Sequence, residues 1–267
     1  MRYTAFLALF VRLIYGGYTW FVVVCVTIPT IVALAIAPRL RTRRRIAQLG
    51  ARTIFYLIGS PVSVHGPPIE AGDPAIVVAN HASYLDGVIL TAVLPTRFTF
   101  LIKQEMRAAP IVGFILQRLG SEFVDRGDVS QRHRIGRRLV QAAHQGKALA
   151  VFPEGTFDEQ PGLKPFRPGA FRAAYRADTR IWPTAIVGAR HKFPAGRILA
   201  APGPLRVRVC KPLDPGAFDS HEQLMRATRA ALLEHLDEPD LDGFTSQHSE
   251  APRPLRAAAS EYSEPDP

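Results

Sequence analysis

The sequence predicts an α/β fold: a mixed, mostly parallel sheet covered by helices, with an N-terminal membrane-associated helical segment. Three observations carry this expectation. Short apolar runs bounded by Gly, Pro, Asn or Asp recur along the chain, amphipathic stretches of helical period lie between them, and the region before Pro38 is almost continuously apolar. Strands alternating with helices need helices on the faces of one sheet rather than a sandwich or a bundle. A length of 267 residues with 47% hydrophobic content suits one substantial domain with appendages. The expected division is a membrane anchor and basic flank over 1–58, a principal domain over 59–238 and a disordered tail over 239–267.

Taken in order, the first element has no charged side chain from Leu13 through Pro38. Tyr18–Ala37 alone is long and apolar enough to cross a hydrocarbon core of about 30 Å. The Gly16–Gly17 pair, Pro29 and the earlier run Ala5–Val11 with Arg12 suggest instead a helical hairpin embedded in one leaflet. A buried core helix is the bland alternative. Arg39, Arg41, Arg43, Arg44 and Arg45 follow at once. Such a patch attracts anionic headgroups at about 1 kcal/mol per residue. By the positive-inside bias it also places the domain that follows on the cytoplasmic side of the cell membrane.

The expected strands are Val62–His65, Ala75–Ala79, Phe98–Ile102, Glu122–Val124, Ala148–Phe152, Ile181–Val187 and Leu205–Val209. Helical patterns fall at Tyr84–Leu94, Ile111–Leu119, Val129–His144, Ala170–Ala177 and Glu222–Leu236. Beyond about Pro239 the chain is rich in Ser, Glu, Pro and Ala, a composition that cannot bury enough apolar area to offset chain entropy. That tail is expected to be disordered and dispensable for catalysis.

The formal net charge of +10 raises a nucleic-acid reading, but no recognised binding module is present and the densest basic run adjoins the apolar segment. A membrane surface explains the charge better, and no nucleic-acid partner is expected. A second cluster, Arg132, Arg134, Arg137 and Arg138, shares a helical pattern with Ile135, Leu139 and Ala142. It reads as a solvated face or as a contact for the phosphates of a ligand or lipid. Cys25 and Cys210 give neither a disulfide framework nor zinc spacing.

Candidate chemistry begins at Asn80-His81-Ala82-Ser83-Tyr84-Leu85-Asp86, directly after an apolar run. On a regular helix His81 and Asp86 would be rotated roughly 140° apart, so the pair requires a turn. Asp86 in the first helical turn can then reach back and hold one ring nitrogen, leaving the other to take a proton from a hydroxyl. An ordinary strand-to-helix turn is the alternative. Val151-Phe152-Pro153-Glu154-Gly155-Thr156 again runs from a strand into a turn, and strand C-terminal ends are where ligands collect in open α/β sheets. Between the two lies Phe123-Val124-Asp125-Arg126. Its guanidinium can grip a phosphate bidentately or simply pair with Asp125 at the surface. Ser83 is a poor nucleophile candidate because no Gly-x-Ser-x-Gly elbow frames it.

Asn-His-x-Ser-x-x-Asp, Phe-Val-Asp-Arg and Phe-Pro-Glu-Gly-Thr, in that order, resemble the glycerolipid acyltransferases typified by 1-acylglycerol-3-phosphate (lysophosphatidic acid) acyltransferase. The likeness extends to Lys103, Pro110, Gly113 and Trp182-Pro183-Thr184-Ala185-Ile186, and covers roughly residues 60 to 215. It implies that His81 is the base and Asp86 its orienting partner, and that acyl-CoA or acyl carrier protein is the donor. Lys103 and Arg126 would meet the acceptor phosphate, and Glu154, Gly155 and Thr156 would shape the acceptor pocket. It implies direct transfer to a membrane lysophospholipid, giving phosphatidic acid, with no covalent enzyme intermediate. The proposed chemistry needs no metal and no cofactor beyond the thioester.

One departure stands out. Many phosphate-reading members carry Arg after Phe-Pro-Glu-Gly-Thr, whereas this chain has Phe157, then Asp158 and Glu159. Lys164 and Arg167 are candidates to return positive charge, although an arginine one residue before a Pro-Gly turn is more often a solvated loop charge. The acceptors left open are therefore 1-acylglycerol 3-phosphate, a lyso-ornithine lipid, glycerol 3-phosphate or a glycolipid intermediate. A noncatalytic lipid-binding protein of the same fold is the alternative from another class.

Overall fold

A computed structural model describes residues 2–69, 74–124 and 129–242. Two helices, α1 (Arg2–Ile36) and α2 (Leu40–Leu57), precede the sheet. They form an antiparallel pair: the Tyr18 hydroxyl donates to Leu57 O at 3.0 Å, and Gly50 lies against Thr30. This corrects the expected hairpin. α1 runs unbroken through Gly16–Gly17 and Pro29, and the reversal comes at Ala37–Arg39. Gly16 serves close packing rather than a bend, since a Cβ there would stand 2.8 Å from the Cβ of Leu199. Phe10–Ile36 is the one segment among the described residues long and apolar enough to cross a membrane.

α2 was not expected, because the arginines at its start read as a flank. Yet Ala47, Gly50, Ala51 and Phe55 are its buried residues, at helical spacing. The arginine patch also divides. Arg39, Arg41 and Arg45 are exposed, whereas Arg43 donates to Ala37 O at 2.7 Å and Pro38 O at 2.9 Å. Arg44 donates to Leu119 O, Thr96 O, Arg97 O and Thr99 Oγ1. Arg43 and Arg44 are therefore structural. The carbonyls ending α1 take further bonds from Arg118, to Leu34 O, Ala35 O and Ala37 O, a cationic cap at the negative end of the helix dipole.

The described residues form seven strands, β1 (Val62–His65), β2 (Ala75–Ala79), β3 (Thr99–Lys103), β4 (Glu122–Val124), β5 (Leu149–Val151), β6 (Arg180–Val187) and β7 (Leu205–Val209). They form one sheet in the order β1-β7-β6-β2-β5-β3-β4. Every pairing is parallel except β6 with β7. The remaining helices are α3 (Asp86–Val93), α4 (Pro110–Arg118), α5 (Val129–His144), α6 (Gly169–Arg176), α7 (Ala189–Lys192) and α8 (His221–Leu233). On α5, Arg137 and Arg138 are exposed while Leu139 and Ala142 are buried.

The central strand β2 explains its own sequence, Ala-Ile-Val-Val-Ala. All five side chains are buried. Ala75, Val77 and Ala79 pack with Val22, Phe55, Ile89 and Leu90 from α1, α2 and α3. Ile76 and Val78 face Leu139, Phe171, Leu224 and Leu232 from α5, α6 and α8. A strand covered on both faces has no polar side, hence the continuous apolar run.

The expected tail boundary also shifts. Leu163 N–H donates to Pro239 O at 2.9 Å, and Leu241 N–H donates to Leu163 O at 3.0 Å. Pro239–Asp242 thus belong to the folded domain, held by backbone pairing. Residues 243–267, the rest of the expected tail, lie outside the described residues.

Candidate active site

β2 and β5 are parallel neighbours, with Val78 opposite Val151. The turns leaving their C-terminal ends therefore emerge side by side. β2 ends at Ala79, and Asn80 fixes its exit: the side-chain amide donates to Ile186 O at 3.0 Å and accepts from Ile186 N–H at 2.7 Å. The chain then turns through His81-Ala82-Ser83 into α3.

Asp86 closes that turn. Its Oδ2 lies 2.9 Å from His81 Nδ1 and accepts the backbone N–H groups of Ala82 at 2.7 Å and Ser83 at 2.8 Å. The carboxylate is fully buried, while the His81 side chain keeps 19% of its surface exposed. With Nδ1–H donating to Asp86, Nε2 is the ring's acceptor. Ser83 is buried, its hydroxyl donating to Phe193 O at 2.6 Å and accepting from Leu85 N–H at 3.1 Å. It braces the turn.

Glu154, on the turn after β5, holds the same loop from the other side. Its Oε1 accepts His81 N–H at 2.6 Å and its Oε2 accepts Lys164 N–H at 2.9 Å. Burial pushes its carboxyl up to about 7, against the pull of these two N–H donors; the charge on Asp86 adds to the rise and Arg229 opposes it. Both oxygens are occupied by backbone, so Glu154 shapes the site from within the protein. Gly155 sits at φ +76°, a left-handed conformation that glycine adopts without strain. Thr156 next to it is exposed.

Aromatic rings surround the imidazole. Phe152 stacks on it with centroids 4.3 Å apart, and Phe157 meets it edge-on at 4.4 Å. Tyr84, which is exposed, meets Phe157 at 4.8 Å and Phe193 at 6.1 Å. Lys103 is half-buried at the C-terminal end of β3. Lys164 pairs its ammonium with Asp158, so that charge is compensated within its own loop. Arg167 is exposed, and its backbone N–H donates to Pro153 O at 2.9 Å. Arg126 lies outside the described residues.

Sequence reasoning missed Arg229. This guanidinium on α8 is 3% exposed, donates to Leu163 O and Lys164 O at 2.6 Å each, pairs with Asp240 and lies over the ring of Phe166. It fixes the loop whose Lys164 N–H holds Glu154. The available signal was an arginine flanking the helical-period stripe Leu224-Thr228-Leu232, which is buried.

The family model for acyltransferases matches residues 61–187. Lyso-ornithine lipid O-acyltransferase of Pseudomonas aeruginosa is 31% identical over 176 residues, covering 60% of this chain and 67% of that protein. 1-acyl-sn-glycerol-3-phosphate acyltransferase alpha of Mus musculus is 31% identical over 200 residues, covering 71% of this chain and 68% of that protein. The crystal structure of the 1-acyl-sn-glycerophosphate acyltransferase PlsC from Thermotoga maritima superposes with a TM-score of 0.71, covering 84% of this chain and 93% of that one at 23% identity, a shared fold. With the ordered motifs, this fold and these relatives, the chain belongs to the glycerolipid acyltransferases, the family of the lysophosphatidic acid acyltransferases.

Proposed function

We propose that the chain moves a fatty acyl group from a thioester of coenzyme A or acyl carrier protein to the free hydroxyl of 1-acylglycerol 3-phosphate, giving phosphatidic acid. The observation that supports this most directly is the ring of His81, partly open and held at Nδ1 by a buried carboxylate. Nε2 takes the proton of the acceptor hydroxyl as its oxygen attacks the thioester carbonyl. The tetrahedral adduct collapses, the carbon–sulfur bond breaks, and the imidazolium returns its proton to the departing thiolate. Asp86 stays ionised and steadies the imidazolium. Positioned proton transfer of this kind contributes roughly 10²–10⁴ in rate. Lys103 and Arg126 are the cations assigned to the acceptor phosphate, with Glu154, Gly155 and Thr156 shaping its pocket and Arg167 at its rim.

A second acceptor is favoured by a specific contact. Phe157 puts an aromatic edge, not a cation, against His81, and the Pseudomonas relative is named for a lyso-ornithine lipid. An acceptor with an aliphatic chain beside its hydroxyl suits that wall.

α1 is the seat on the membrane. Tyr15 bonds to Ile58 O, and Leu34 O accepts from Arg118. These residues lie about 28 Å apart along a helix, close to the roughly 30 Å of a hydrocarbon core. Because the same chain holds the helix at both points, our reading is that α1 lies in a single leaflet, and the exposed Arg39, Arg41 and Arg45 beside it support a cytoplasmic position for the catalytic turns.

The test is thiol release from acyl-CoA with 1-acylglycerol 3-phosphate, with a lyso-ornithine lipid, and with no acceptor. Release dependent on the first supports the primary reading, and release only with the second supports the alternative. No release with either points to a noncatalytic lipid-binding protein. His81→Ala is expected to lower turnover by at least ~10²-fold with the melting temperature kept. Near-normal turnover in that variant removes His81 from the mechanism.

A further inference from the structure

We infer that the connection between α7 and β7, residues 193–204, is a second membrane-docking element that inserts Ile198 into the leaflet beside α1. The inference rests on the reading of α1 as a one-leaflet anchor. Ile198 is 75% exposed. A lone exposed isoleucine is unremarkable on a soluble surface, but this one is not alone. Its carbonyl accepts the indole N–H of Trp20 at 2.8 Å, and Leu199 packs against Gly16 so closely that a Cβ there would clash. Trp20 and its neighbour Phe21 are themselves exposed on α1. The apolar tip of the connection is therefore continuous with the apolar face of the helix. Exposed Arg197 adjoins it, the pairing of cation and apolar side chain that suits the boundary between headgroups and acyl chains.

The connection is braced rather than loose. Lys192, fully buried, donates to the Tyr15 hydroxyl at 2.7 Å and to Ala201 O at 3.2 Å, with its ammonium 4.9 Å from the Tyr15 ring centroid. Ala201 N–H returns a bond to Lys192 O at 2.8 Å. The Ser60 hydroxyl holds Gly203 O at 3.0 Å. At its start, Phe193 O accepts from Ser83 and the Phe193 ring meets Tyr84. The same segment thus touches α1 at one end and the His81 turn at the other, so seating it in lipid seats the candidate site at the surface where the acceptor lies. The partner is a phospholipid leaflet, and anionic headgroups are the match for Arg197.

The experiment uses the full chain with Cys25 and Cys210 replaced by Ser, carrying a single cysteine at 198, at 24 on α1, or at 222 on α8 across the sheet. Each is labelled with an environment-sensitive fluorophore and reconstituted into equimolar phosphatidylcholine–phosphatidylglycerol vesicles containing spin-labelled acyl chains. Quenching at 198 like that at 24, with none at 222, supports the inference. Quenching at 24 while 198 behaves like 222 overturns it and leaves α1 as an anchor alone. In parallel, Ile198→Asp is expected to lower turnover of vesicle-embedded acceptor about tenfold or more, while turnover of a short-chain, detergent-dispersed acceptor stays at the wild-type level. Equal loss on both acceptors, or loss on neither, overturns the docking role. Quenching is read without turnover, so a wild-type protein inert on every acceptor would count against the enzymatic reading and not against this one.

Discussion

At the scale of single residues, the site is a competition between burial and hydrogen bonding. Asp86 is fully buried, and its Oδ2 alone accepts from His81 and two backbone N–H groups, while its Oδ1 has no hydrogen-bond partner among the described residues, so one oxygen carries the compensation for burial. Glu154 has two backbone donors and burial still raises its pKa to about 7. The raised value means that the folded state holds a proton the unfolded chain releases near pH 4.5. Its contribution to stability is complete below that pH and is lost as pH rises through about 7. Glu154→Gln removes this titration but turns an amide donor toward either His81 N–H or Lys164 N–H. The expected outcome is a melting temperature less dependent on pH between about 5 and 8 than that of the wild type, together with turnover reduced by tenfold or more as the base loses its backbone clamp. Thermal melts and rates across that range check both parts, and identical pH slopes for the two proteins would refute the assignment.

At the scale of elements, the site depends on turns that other elements hold still. Lys164 carries the N–H that clamps Glu154; it and Leu163 are held by Arg229, and Leu163 also pairs with Pro239 and Leu241. Glu238 adds bonds to both Nε and Nη2 of Arg190 and to Gly162 N–H. A chain ended after Asp242 is expected to melt and turn over like the full chain. A chain ended after Asp237 leaves Arg229 buried without Asp240 and is expected to lose about 3 kcal/mol of stability, with turnover falling alongside. Denaturant titration of the two truncations decides it.

The seven strands of the described residues were legible within about two residues because each is a short run, apolar as in β2 or alternating as in Leu-Arg-Val-Arg-Val of β7, cut by turn chemistry. The juxtaposition of His81 with Glu154 was legible only through the family resemblance, since strand order is not written in local sequence. α2 was hidden by its arginines, because a charged first turn masked a buried stripe of small residues and Phe55. The clamp by Arg229 was hidden for a related reason: a buried guanidinium bonded to carbonyls leaves no motif. Pro183 looks wrong for a central strand, and its cost is visible: Cys210 N–H donates to Pro183 O at 2.9 Å, the residue opposite in the antiparallel register, and proline has no N–H to return the bond.

For the molecule as a whole, the division of the arginine patch separates anchoring from folding. Replacing Arg39, Arg41 and Arg45 with Ala is expected to weaken binding to anionic vesicles by about 1 kcal/mol each, with melting temperature unchanged and the remaining affinity less sensitive to salt. Arg44→Ala should do the reverse, lowering the melting temperature because four hydrogen-bond acceptors lose their shared donor. Vesicle sedimentation and thermal melts distinguish the two. The Lys192–Tyr15 contact then acquires a meaning beyond its own energy. A lysine side chain of fixed reach, locked at both ends, ties α1 to the segment whose first residue, Phe193, braces the His81 turn. With α1 in lipid as proposed, the imidazole is held at one altitude above the leaflet, and a lysolipid acceptor would have to rise to meet it.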